Sequence, residues 1–175
     1  KDCRDIIIKL VCKGAAEKLW NETANAPKHI ITQIFKSNGL LRKNQAGEYV
    51  IEKPDDSAFN GASKTWECIE KYIKKARSQP VKMDNVVRAL RKPPFGIKCR
   101  AMPLFFAAVA HSELAFGNIS FEFYRNAKQV EKITAIENDT LEKVFTTPEK
   151  YQLVYVNVSS NQKALTNGLS KLFDV

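Results

Sequence analysis

The chain has 175 residues, 44% of them hydrophobic and 27% charged, with a formal net charge of +9. That length carries one domain or two small lobes with a real core, and that balance excludes a disordered polymer. No apolar run approaches the roughly 20 residues of a membrane helix, and Cys3, Cys12, Cys68 and Cys99 are too scattered for a zinc knuckle or a disulfide framework.

In chain order, Asp2 to about Asn21 reads as a helix with Ile6, Ile7, Leu10, Val11, Leu19 and Trp20 inward, weakened in the middle by Gly14. Pro27 opens a second helix with Ile30, Ile31, Ile34 and Phe35 inside, and Ser37-Asn38-Gly39 ends it in a left-handed cap. Leu40 to Arg42 and Glu48 to Ile51 flank turn residues, which predicts a hairpin. Residues 1–52 thus form a helical lobe with a short hairpin, winged-helix-like in its order. Residues 53–62 carry Pro, Asp and Gly without periodicity and form a linker.

Ser63 is placed to cap the next helix, with Trp66, Ile69, Tyr72, Ile73 and Ala76 as its apolar stripe and with Glu67–Lys71 and Glu70–Lys74 as i, i+4 pairs. Pro80 stops it. Met83, Val86, Val87 and Leu90 then fall at helical spacing, followed by a corner at Lys92-Pro93-Pro94-Phe95-Gly96. Pro103 leads a helix, Met102 to Ala110, that has no polar face and must be buried nearly all round. A strand at Ile119–Tyr124 turns over at Arg125–Lys128 and returns from Gln129. Asp139 with Glu142 has the pattern of a capping box. Tyr151 to Val158 is apolar on both faces, as a central strand is, and a last helix follows with Leu165, Leu169, Leu172 and Phe173 inward. Residues 63–175 therefore read as a winged-helix-like α+β domain. The fold class of the whole is α+β, mostly helical, with winged-helix-like units (helix-turn-helix plus β-hairpin) and a late strand.

The charge is local. Lys71 to Arg100 holds ten Lys/Arg against the single acid Asp84, while the other residues carry eighteen of each sign. Concentrated basicity of this kind points to an anionic partner. Lys98 and Arg100 also precede the Pro103 helix, whose first amides favour anions.

From Val87 on, the sequence LRKPPFGIKCRAMPLFFAAVAHSELAF, a strand ending FYRN, and KITAIENDTLEKVFTTPEKYQL resemble a segment of large bacterial P-loop ATPases found in phage-defence and DNA-modification gene clusters. A PPYG-type corner (Pro93, Pro94, Phe95, Gly96), a Pro-led apolar helix at Pro103 and a late strand entry (Pro148, Glu149, Lys150, Tyr151) carry the resemblance. The helical part around KLWNETANAPKHIITQIF looks like the region that precedes it. The resemblance implies a cytoplasmic, bacterial, ATPase-associated helical and winged-helix segment. It starts at Lys1 rather than Met, as a piece of a longer protein does.

The chemical inventory is thin. There is no GxxxxGK[ST] phosphate loop, and His29 and His111 have no neighbouring carboxylate or Cys in sequence. We expect no enzyme, metal or cofactor. The helix in the recognition position offers Leu, Phe, Ala and Val to a groove, with no Arg, Asn or Gln to pair with bases. The expected interface is phosphate contact with duplex DNA by Arg88, Arg91, Lys92, Lys98 and Arg100, with Arg125 and Lys128 reaching from the hairpin tip. The alternative is a protein-interaction module that packs on the parent ATPase domain or a partner subunit.

Overall fold

A computed structural model describes residues 3–55, 60–115, 118–126, 128–133 and 139–156. The last expected helix, with Leu165, Leu169, Leu172 and Phe173, and the strand residues 157–158 lie outside them. The first predicted helix is two: α1 (Cys3–Cys12) and α2 (Ala16–Trp20), parted where Gly14 adopts φ 66°. The next, α3 (Asn25–Ile31), starts before Pro27 and widens into a π turn at Thr32–Lys36. Gly39 (φ 69°) ends it, with the Leu40 N–H donating to the Phe35 carbonyl at 2.9 Å. Strands β1 (Leu41–Lys43) and β2 (Tyr49–Ile51) form the expected antiparallel hairpin. Its Tyr49 ring stacks on Trp20, centroids 5.1 Å apart.

Helix α4 (Asn60–Ala76) begins three residues before Ser63, so Ser63 is buried inside it and is not its cap. Of the two expected ion pairs along α4, Glu70–Lys74 forms at 2.9 Å, whereas Glu67 turns to Lys53 at 2.7 Å. A two-residue strand that periodicity does not reveal, β3 (Val81–Lys82), leads into α5 (Met83–Arg91). Met83, Val86, Val87 and Leu90 of α5 are all buried, as the spacing requires. The corner closes when Gly96 takes φ 58° and the Ile97 N–H returns to the Leu90 carbonyl at 2.9 Å.

Helix α6 (Met102–Ala115) is the centre of the core, with every residue from Met102 to Ala110 buried. It packs on α1, α4, α7 (Thr140–Thr146) and β4 (Ile119–Arg125). The Phe106 ring lies 6.0 Å from Phe121 and 5.5 Å from Phe145. Ile7, Val11, Leu19 and Phe35 from before the linker belong to the same hydrophobic cluster as Phe106 and Leu153. The second sheet runs β3-β6-β4-β5, all antiparallel, with β5 at Lys128–Ile133 and β6 at Tyr151–Tyr155. Strand β6 is inner, flanked by β3 and β4; Tyr151 and Leu153 are buried on one face, while Gln152 and Val154 on the other are half-buried. A bulge between Phe123 and Tyr124 leaves Val130 as the extra residue on β5.

The Asp139–Glu142 capping box does not form. Asp139 sits at φ 55° with no side-chain cap and ion-pairs Lys143 at 3.0 Å, while Arg4 of α1 takes Glu142 at 2.8 Å. A distant cation outcompetes the local amide.

The polar end of α6 is a knot around Glu113. Its carboxylate accepts from Arg77 Nη2 (2.8 Å), Asn118 Nδ2 (2.7 Å) and Tyr155 OH (3.2 Å), and the Arg77 guanidinium lies 5.0 Å over the Tyr155 ring. Burial alone would raise this carboxyl's pKa. The three donors outweigh burial and hold it below its ordinary 4.5.

Truncating Phe106 to Ala should cost about 3–5 kcal/mol in urea unfolding, because its ring is enclosed between α6, β4 and α7. A loss under about 1 kcal/mol would place the core elsewhere. A depressed folded pKa gives stability that is present above the unfolded value and lost as pH falls through the folded one. Glu113→Gln should therefore cost about 1–3 kcal/mol at pH 7. The gap to wild type should close towards pH 3, read by unfolding at several pH values. A gap equal at pH 7 and 3 would show that Glu113 packs there without acting as a charge.

Candidate nucleic-acid interface

The seven predicted cations are all exposed. They fall into two groups. Arg88, Arg91 and Lys92 line the outer side and end of α5, because the opposite stripe is committed to the core. Arg88 folds back one turn to Asp84 at 2.7 Å. Arg91 Nη2 reaches Cys99 Sγ at 2.7 Å, and this contact joins the end of α5 to the 98–100 loop. Lys98 and Arg100 lie on that loop, on the rim of a groove of about 490 Å³ shared with α1 and α3.

Arg125 belongs to the second group. It ends β4, its guanidinium 6.0 Å over the Phe123 ring, and lines a cleft of about 700 Å³ with Lys82, Asp84, Glu149, Lys150 and Tyr151. Lys128 pairs with Arg125 in the β4–β5 register. Asp84 borders this cleft and binds Arg88, so it stands between the two groups.

Lys82 and Lys150 were not among the expected residues. Periodicity gives no sign of them, because they meet Arg125 only through the register that sets Phe123 opposite Tyr151 and Lys82 opposite Gln152. His29 is exposed and lines the groove with Ile30 and Ile34. His111 is half-buried, its Nδ1 2.8 Å from the Ala108 carbonyl of its own helix.

The start of α6 offers an anion less than its sequence promises. Leu104 and Phe105 N–H both donate to the Ala101 carbonyl at 3.1 Å, and Pro103 has no N–H. The positive charge beside this helix start is that of the exposed Lys98 and Arg100 side chains. Among the described residues, no three His, Cys, Asp or Glu side chains gather as a metal site would require. No helix among them is long and apolar enough to cross a membrane.

Comparison with known proteins finds no match for this chain among family models, characterised proteins or solved structures.

The thiols differ sharply. Burial against the core pushes the Cys12 pKa up to about 12. The Cys68 thiol is also raised by burial, against the opposing pull of Lys71. At pH 8 only about one Cys12 in ten thousand is a thiolate. Iodoacetamide at that pH, followed by peptide mass spectrometry, should modify the half-buried Cys99 beside Arg91 well before Cys12. Equal labelling of the two would mean that α1 does not pack on α6 as described.

Proposed function

We propose that the chain is a non-catalytic winged-helix-type module of a larger bacterial ATPase and binds duplex DNA through its phosphates. One observation carries the reading. Of the ten basic residues between Lys71 and Arg100, only Lys74, Arg77 and Arg88 meet carboxylates, at Glu70, Glu113 and Asp84. Lys71, Lys75, Lys82, Arg91, Lys92, Lys98 and Arg100 have no carboxylate partner among the described residues. Exposed cations without a carboxylate partner keep their charge available to an extended polyanion.

The order α4, β3, α5, α6, β4, β5 supports a winged helix, with the β4–β5 hairpin as wing. The helix in the recognition position is α6, which is buried, so base readout from it is excluded on this reading. What remains is contact that positions a duplex without reading it.

Fluorescence anisotropy with duplex DNA at several salt concentrations tests this. Binding should be weak, about 10⁻⁴–10⁻⁶ M at physiological salt, and indifferent to sequence. Neutralising about four phosphates gives a log–log salt slope near −3.6. Changing Arg91 and Lys92 together to Ala should flatten it by about 2, whereas the same change at exposed Lys13 and Lys18 should do little. If both pairs weaken binding equally, the charge acts only as a diffuse field. No binding at low salt would end the DNA reading.

A further inference from the structure

The groove bordered by Lys98 and Arg100 has a feature that phosphate binding does not use. Its floor is aliphatic: Ile30 and Ile34 from successive turns of α3 and its π extension, and Ala101 and Leu104 from the start of α6. Its rim is basic, with Lys98 and Arg100 on one side and Arg4 and His29 also lining it, and no acidic residue among the lining residues. Two helices that leave an apolar trough between them, about 490 Å³ in volume, have the form of a helix-in-groove site.

We propose that this groove docks an amphipathic helix of a partner protein whose aliphatic stripe is bordered by Asp or Glu. Three observations point to that occupant. The volume takes a few aliphatic side chains and leaves no place for a duplex. Between the cations and beside the amide of Gln33, the trough is lined by the aliphatic Ile30, Ile34, Ala101 and Leu104, from which a phosphate backbone gains nothing. The molecule also displays the same pairing at this rim, where Glu142, on helix α7, ion-pairs Arg4 at 2.8 Å. An incoming acidic helix repeats that contact at Lys98 and Arg100, which have no carboxylate partner among the described residues. The proposal does not rest on DNA binding, although the two share Lys98 and Arg100.

The test uses the whole chain and a labelled synthetic helix of about four turns. The peptide carries Leu at i, i+3, i+4 and i+7 and Glu on both flanks. It should bind saturably. A peptide with Ser in place of Leu should bind at least tenfold more weakly, as should one with Lys in place of Glu. K98E/R100E should weaken the Leu/Glu peptide about tenfold and improve the Leu/Lys peptide, an exchange that only direct rim contact produces. Ile30→Ser, with folding checked by circular dichroism, should weaken both peptides.

Equal binding of the Leu and Ser peptides would overturn the proposal, because the floor would then play no part. No binding of the Leu/Glu peptide would overturn it too. So would a concentration-dependent dimer of the chain that Ile30→Ser abolishes, since the occupant would then be a second copy. A chain that binds the peptide but not DNA would uphold this proposal and end the DNA reading. One that binds DNA but not the peptide would do the reverse.

Discussion

Helix α6 has no polar side over nine consecutive residues, Met102 to Ala110, and the rest of the molecule is arranged to cover it. An amphipathic helix needs one neighbour; a helix apolar all round needs them on every side. Here α1, α4, α7 and β4 supply them. This explains why an N-terminal segment with its own helices and hairpin shares a core with the C-terminal part: α1 is one of the elements that α6 needs around it. It also explains Glu113. Where α6 leaves the core, its first buried-side carboxylate gathers Arg77, Asn118 and Tyr155, tying α4, the entry to β4, and β6 to one helix end.

Much of this was legible in the residues. Met83, Val86, Val87 and Leu90 announced α5 because a single helix face decides their spacing, and that is local information. Met102–Ala110 announced its own burial by the absence of any polar side, and the apolar run around Leu153 announced the inner strand β6. What was not legible needed long-range partners. The Asp139–Glu142 box failed because Arg4, 138 residues away in sequence, binds Glu142. Ser63 looked like a cap because helix-start chemistry is local, but the helix continues back to Asn60 and buries that hydroxyl.

The charged residues follow the same rule. That Arg88 and Arg91 would be exposed was predictable, since the apolar stripe had claimed the other side of α5. That Arg125 would belong with Lys82 and Lys150 was not, because only the pairing of β4 with β6 and β6 with β3 makes them neighbours. Composition gave the sign of the surface, and topology divided it into two groups with Asp84 between.

The division matters for how one basic face could serve two anionic partners. Lys98 and Arg100 border the apolar groove, whereas Arg125 and Lys128 stand at the hairpin end and touch no part of it. A duplex that spans both groups needs the loop cations free, and an acidic helix in the groove neutralises them. If both readings hold, the two partners oppose each other at Lys98 and Arg100, and linkage makes the opposition mutual: each lowers the other's affinity by the same factor. The cations of α5 and the hairpin would still attract a duplex while the groove is filled. Competition would then be partial, a lowered salt slope and not a lost one, because only the contacts made by the 98–100 loop are taken away.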